Sequence, residues 1–590
     1  MLARPEISGP RGAVAATHWL GSQAGMAMFD RGGNAFDAAA AAAFVLQVVE
    51  PHLNGPAADV PILVHHRGTV RVICGQGPMP QAATIGRFRE LGLAAVPGSG
   101  LLAACVPGAF GAWMRLAQEY GRLPLADILE PAIHYAEAGY PLLPKAAEMI
   151  SVLAPLFRTE WTESGRTYLA SGTAPAAGTR MRNPVLAETY RRILAEARAS
   201  GRDREGQIDK AVETFYEGFV AEAIDGFMTG STAVDATGHR NGGLLTGADM
   251  AGWRAGIEDT VSLHYRGFEV HKPGPWSQGP VFLQQLALLE PVDLAAMGRG
   301  SADHIHTVVE AAKLAFADRE AWYGDPGHAD VPLKTLLSPG YADERRALIG
   351  ATASTDLRPG LDGWIPPVAG HAAVSPEPGW LAQLDDGIPA VVRLTQAKGD
   401  TCCVTAADAD GNLVVATPSG GWLKSSPVVP GLGFPLGTRG QMAFLAEGHN
   451  NSLAPGKRPR TTLSPSLVLR DGEPYLAFGT PGGDQQDQWT LNFFLNHVDF
   501  GLSPQAAVEA TTFHTDHVPT SFAPRRARPG TIVVERDADP AVLAELRRRG
   551  HDIDLVDALT LGKVCATGFA HGLVLAAASP RGGQAYAAAH

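Results

Sequence analysis

The chain has 590 residues, 45% of them hydrophobic and 18% charged, and a formal net charge of −12. That is a soluble globular balance with ample core material, long enough for several domains or one large α/β unit. The negative sign excludes the broad basic surface that nucleic acid or an anionic membrane demands.

The opening, "MLARPEISGPRGAVAATHWL", has no basic segment followed by an apolar core. No signal peptide is therefore expected, and the expected location is cytoplasmic, or periplasmic if a leader has been trimmed away. No apolar run reaches membrane-span length. Residues 17–50 read as helical and are broken at Gly32-Gly33, with Asn34 or Asp37 available to cap a second, alanine-rich helix. Residues 61–74 predict two strands around Arg67-Gly68. Residues 101–200 predict helices punctuated at Pro107-Gly108, Pro124 and Pro131. "GADMAGWRAGIEDTVSLHYRGFEVHKPGP" passes from helix to strands. The histidines of "DHIH", His304 and His306, are expected to precede an amphipathic helix over 307–322 that stops at Gly324-Asp325-Pro326. Their spacing of two, without a carboxylate cluster, gives no metal site, and none is expected elsewhere. Residues 351–395 predict a long surface segment.

From Thr401 the texture changes. Short strands are expected at 401–407, 411–417, 464–470 and 474–480, then a helix over about 540–549 and final strands through 567–587. The chain thus divides into a helix-rich region, 1–400, and a strand-rich region, 401–590. Five cysteines, Cys74, Cys105, Cys402, Cys403 and Cys565, are too few for a disulfide framework. Cys402 and Cys403, adjacent on a strand, point to opposite faces and do not pair.

The segment "AKGDTCCVTAADADGNLVVAT" (397–417) places Thr401 at the head of a hairpin. An internal threonine hydroxyl is a poor nucleophile. Freed by a cut just before it, its own α-amine, with a pKa of about 8, becomes a base within reach of the hydroxyl. An ordinary hairpin turning on "DADGN" accounts for the same pattern.

"TCCVTAADADGN" resembles the segment around the nucleophile of the gamma-glutamyltranspeptidase family. The resemblance extends through "DRGGNAFDAAAAAAFVLQVVEPH" (30–52), "VPGAFGAW" and "YGRLPLADILEPAIHYAEAGYPL" (106–142), "EAAKLAFADREAWYGDP", "PGKRPRTTLSPSLVLRDGEP" (455–474) and "GTPGGDQQDQW" (479–489). It implies an α+β chain folded as the four-layer αββα sandwich of self-cleaving N-terminal-nucleophile (Ntn) hydrolases. It also implies a cut between Asp400 and Thr401 into a large and a small fragment that stay together, and a small-molecule amide as substrate. No cofactor, nucleic acid or membrane is implied; whether the two-fragment unit forms a homo-oligomer is left open. By the same resemblance Thr401 is the nucleophile, Ser419 its supporting hydroxyl, and Gly482 and Gly483 the oxyanion hole. Cys402 is the alternative nucleophile. Thr461 and Thr462 stand where the family has a serine pair that holds the substrate carboxylate.

The sequence also departs from that family. Gln76 occupies the position of the arginine that grips the γ-glutamyl carboxylate, and a neutral amide cannot replace that contact. Gly421 and Trp422 stand where an amine-binding asparagine is expected. Arg439 is the best replacement for a substrate carboxylate, with Lys457, Arg458 and Arg460 as alternatives, and Trp422 is placed to narrow the site. The expectation is an amidohydrolase with another acyl preference, a short acid or a glutaryl-like amide, as in the related oxamate amidohydrolase and cephalosporin (glutaryl) acylases. A true γ-glutamyl hydrolase and an unprocessed binding homologue are the alternatives.

Overall fold

The computed structural model describes residues 3–367, 401–523 and 525–590. Two seven-stranded sheets lie face to face. The first runs, edge to edge, Tyr586–Ala589, Gly12–Ala16, Val404–Asp408, Leu413–Ala416, Val60–His66, Thr69–Gly75 and Gly256–Glu258. The second runs Ile7–Gly9, Leu573–Ala578, Cys565–Ala570, Glu473–Gly479, Ser466–Arg470, Phe268–Lys272 and Val261–Tyr265. Every adjacent pair in both sheets is antiparallel. Small side chains fill the space between them, among them Ala13, Ala15, Cys403, Ala407, Ala477 and Ala576. Helices Trp19–Asp30, Ala35–Val49 and Ala109–Tyr120 cover the outer face of the first sheet. Helices Gly279–Leu289, Ala302–Trp322 and Gln486–Val498 pack over the second. This is the expected four-layer sandwich, and its layering explains why its central strands lack polar alternation: both faces are dry.

Both sheets combine strands from before and after residue 400. Val404–Asp408 lies between Gly12–Ala16 and Leu413–Ala416, and it turns on Gly411 at φ +79°. Asp408 organises that turn, accepting from the Asp410 N–H (3.0 Å) and from the Asn412 side chain (2.9 Å). The Oδ2 that takes the Asn412 amide also accepts from Ala35 N–H at 2.8 Å and so fixes the start of the alanine-rich helix. Asn34 caps that helix in a reciprocal box with Asp37.

Several sequence expectations change. The first hairpin strand begins at Val404, not 401. Cys402 N–H still bonds to Pro418 carbonyl at 2.9 Å, but proline has no N–H to return, and the ladder stops there. Pro131 lies inside helix Leu125–Ala138 rather than ending a helix. His304 and His306 lie within helix Ala302–Trp322, capped by Ser301. That helix is not amphipathic. Glu310, Lys313, Asp318, Arg319 and Glu320 are buried along it beside its apolar residues, because charged partners surround it. Of the segment expected at 351–395, residues 351–367 carry no helix or strand, and the rest lies outside the described residues, as does Asp400.

Candidate active site

Thr401 heads the central hairpin and is 1% exposed. Its position is set from both sides of the chain. Cys402 N–H bonds to Pro418, Thr17 N–H bonds to the Cys403 carbonyl at 3.0 Å, and Ser419 bridges to Asp59 through two backbone bonds of 2.9 Å. Cys402 and Cys403 do face opposite ways, Cys402 into the helix-side core and Cys403 between the sheets.

The Cys402 thiol is committed. It donates to Glu50 Oε2 at 3.0 Å, and the same oxygen accepts from Thr17 Oγ1 at 2.7 Å. Gln584 Nε2 donates to Glu50 Oε1 at 2.5 Å. Burial raises the Glu50 carboxyl above its usual range, against the pull of these donors. Burial, then Glu50 itself, pushes the Cys402 thiol well above its ordinary value. A protonated, enclosed thiol is a poor nucleophile. Glu50 is a site residue that sequence reasoning missed. The only signal was an acidic residue ending an otherwise apolar helix.

Arg439 pairs with Asp59, Nε to Oδ2 at 2.7 Å, both buried. Its charge is therefore already balanced within the protein, and a substrate carboxylate would share it with Asp59. Burial raises Asp59 to about 6 despite Arg439. Among the described residues the Arg439 Nη2 has no partner, and the guanidinium lies 5.7 Å from the Trp422 ring centroid. Trp422 is itself fixed by its Nε1–H to the Leu53 carbonyl (2.8 Å) and packs with Met442 and Phe522 as a separate three-residue apolar cluster. Gln76 is buried, with Oε1 unpartnered among the described residues.

Strand Glu473–Gly479 runs on to Gly482 and Gly483. A side chain at Gly479 would strike Thr417 and Cys403, so this strand ends against the hairpin that carries Thr401. Gly482 has φ +134°, and a Cβ there would lie 2.1 Å from Trp489 Cζ3. Only glycine fits. The pair caps and opens the 3₁₀ turn Gly483–Gln485 that leads into helix Gln486–Val498, so their N–H groups belong to the end of a helix, where the ladder does not use them. Such donors can hold an oxyanion.

Arg319 supports this turn. It donates to Asp484 Oδ1 at 2.6 Å, to Gln278 Oε1 at 2.7 Å and to Glu320 Oε1 at 2.7 Å. Arg460 also reaches Glu320 Oε1, at 2.7 Å. Burial alone would raise the Glu320 carboxyl, yet Arg460 and Arg319 hold it down at about 2. The next residue after Arg460 is Thr461, whose N–H bonds to the Trp276 carbonyl at 2.8 Å; the Thr462 hydroxyl is buried and has no partner among the described residues. Arg458 is spoken for by Glu258 (2.5 Å) and Asp325 (2.8 Å). Gln488 clamps Thr515 through both its amide atoms.

One group of three metal-competent residues occurs among the described residues: His306, Glu310 and His551. His306 and Glu310 lie one turn apart on the same helix, but His551 is far along the chain, and the sequence gave no sign that it joins them. All three already have partners within the protein. His306 Nδ1 meets His551 Nε2 at 2.8 Å, and Lys313 holds Glu310 at 2.6 Å. A cation would have to displace that ammonium.

A sequence model described as Gamma-glutamyltranspeptidase matches residues 21–589. The Glutathione hydrolase-like YwrD proenzyme of Bacillus subtilis (strain 168) is 33% identical over 505 residues, 85% of this chain and 84% of that protein. A solved structure of LmbA2991 carrying a threonine-to-alanine substitution is 49% identical, with a TM-score of 0.94 over 100% of both chains. A cephalosporin acylase from Bacillus halodurans is 31% identical, with a TM-score of 0.83 over 100% of this chain and 97% of that one.

Proposed function

The chain belongs to the gamma-glutamyltranspeptidase family and is a hydrolase or acyltransferase of the Ntn type, and from that premise we propose that it is a self-processing threonine amidohydrolase, cut between Asp400 and Thr401, whose preferred acyl group is not γ-glutamyl. The observation that carries the reading is the contrast at the cut. Thr401 is buried at the hairpin head beside Ser419, while the neighbouring Cys402 thiol is tied to Glu50 and kept protonated. Thr401 Oγ1 attacks the amide carbonyl, and the freed α-amine takes its proton. Gly482 and Gly483 N–H groups stabilise the oxyanion, with Ser419 supporting the nucleophile. The leaving amine departs with the proton. Water or a second amine then takes the acyl group from the threonine ester. That a relative was solved with a threonine replaced by alanine is in keeping with a threonine nucleophile.

Gln76, in place of an arginine, supports a different acyl group, and the cephalosporin acylase relative shows that this architecture accommodates acylase chemistry in that protein. The name of the Bacillus subtilis relative favours a second reading, a glutathione-type γ-glutamyl donor. Rates on γ-glutamyl and glutaryl anilides separate the two, since faster γ-glutamyl turnover supports the second.

Intact mass of the purified protein beside Thr401→Ala tests the central claim. Fragments of 1–400 and 401–590 are expected from the wild type, and a single chain from the variant. A wild type that stays whole after long incubation would favour a binding homologue.

A further inference from the structure

A closed chain of contacts begins and ends on the glycine turn. Trp489 stands one turn into helix Gln486–Val498 and is 9% exposed. The edge of its six-membered ring lies against Gly482, where any Cβ would strike it. Its other end lies against Gly562, where an added Cβ would sit 3.2 Å from Trp489 Cγ. The indole is thus wedged between two glycines with positive φ, +134° at Gly482 and +75° at Gly562. The loop that carries Gly562 is tied to the strand end before the glycine pair, since Lys563 N–H donates to Thr480 Oγ1 at 2.9 Å.

One hydrogen bond sets the direction of the ring. Trp489 Nε1 donates to His514 Nδ1 at 3.2 Å, and the two rings meet edge to face with centroids 5.3 Å apart. An indole N–H can only donate, so His514 carries its proton on Nε2. That nitrogen lies 3.2 Å from Asp516 Oδ1. The same oxygen accepts from Gln485 Nε2 at 3.0 Å, and Gln485 ends the turn Gly483–Gln485. The chain has returned to the turn it left. Gly482 needs such a restraint, because without a side chain its peptide is free to swing unless a neighbour fills the space beside it. Oxyanion donors act only when they point at the developing charge, and a displacement of about 1 Å costs about 100-fold in rate.

We propose that Trp489 is a positioning residue for the oxyanion hole, holding the Gly482 and Gly483 N–H groups in their productive direction, and that His514 in turn positions Trp489. This rests on the amidohydrolase reading above and supplies the restraint behind its oxyanion donors.

Steady-state rates on γ-glutamyl and glutaryl p-nitroanilide test it in wild type, Trp489→Phe, His514→Leu and His514→Gln, beside the affinity for n-butylboronic acid. In the boronate adduct Thr401 Oγ1 bonds to boron, its proton passes to the α-amine and no group leaves, so a tetrahedral oxygen sits in the oxyanion hole. Trp489→Phe loses both the N–H and the ring edge at Gly482. Its kcat on the faster anilide is expected to fall about 30- to 100-fold with KM within about twofold, and boronate affinity to fall by a similar factor. His514→Leu is expected to lower kcat about 10-fold, and His514→Gln, whose amide oxygen still accepts the indole proton, to recover most of it. Unchanged kcat in Trp489→Phe, a loss confined to KM, or His514→Gln no better than His514→Leu overturns the proposal. Should Trp489→Phe fail to fold, the two His514 variants carry the comparison. A second measurement needs no turnover. The drop in Tm caused by Gly482→Ala is expected to shrink to about half in a Trp489→Leu background, because the ring that the new Cβ strikes is gone. An equal drop in both backgrounds overturns the wedge. An uncut, inactive chain in which the two positions still couple loses Thr401 alone, and a cut, active enzyme without coupling loses Trp489 alone.

Discussion

Asp59 keeps its proton to about pH 6 in the fold because it is buried, whereas the unfolded chain releases it near 3.8. Between those values the folded state binds more protons, so its stability falls as pH rises and stays lowered above pH 6. The stability of wild type relative to Asp59→Asn is therefore expected to drop by about 2–3 kcal/mol from pH 4 to pH 7, as read by urea unfolding at each pH. A flat difference would show that Arg439 holds the carboxylate ionised throughout. At Gly482 the constraint is steric. Gly482→Ala meets Trp489 and an unfavourable φ together. We expect it to cost about 2–4 kcal/mol of stability, and the displaced N–H to lower kcat about 100-fold. Unfolding curves and steady-state rates on the same preparation check both.

At the scale of elements, helix Ala302–Trp322 shows what a sequence can and cannot disclose. Its stop after Trp322 was legible from Gly-Asp-Pro, but its start was expected at 307 and lies at Ala302. Its environment was not legible, because a charged residue reads as exposed until its partner is known. Arg319, Glu320, Arg460 and Asp484 come from three separate stretches and meet only in the fold. The hairpin and glycine pair were legible because each is a local pattern. Glu50 and Asp59 were not, since their roles rest on contacts hundreds of residues away. Breaking the helix-centred network is expected to be severe. Glu320→Gln leaves Arg319 and Arg460 short of a carboxylate, and a loss of about 3–5 kcal/mol is expected in chemical denaturation. A loss below about 1 kcal/mol would mean that water reaches the cluster.

At the scale of the molecule, neither region on its own has a complete sheet. The strand Gly12–Ala16 has Val404–Asp408 on one side and Tyr586–Ala589 on the other. After a cut before Thr401, the two fragments are expected to co-elute in native size-exclusion chromatography and to separate only on a denaturing gel. Fragments that part under native conditions would contradict the interleaved sheets. No helix among the described residues is long and apolar enough to cross a membrane.

The same interleaving sets a timetable for synthesis. Strand Gly12–Ala16 leaves the ribosome early, yet the neighbours it needs lie about 390 and 570 residues further along. At about 5–20 residues per second, its hydrogen-bonding edges wait roughly 20–80 s for the first partner. Through that interval an apolar, unpaired strand is open to the wrong chain. A nascent chain of this protein is thus a natural client for a holding chaperone, and slowing its translation should raise the aggregated fraction rather than lower it.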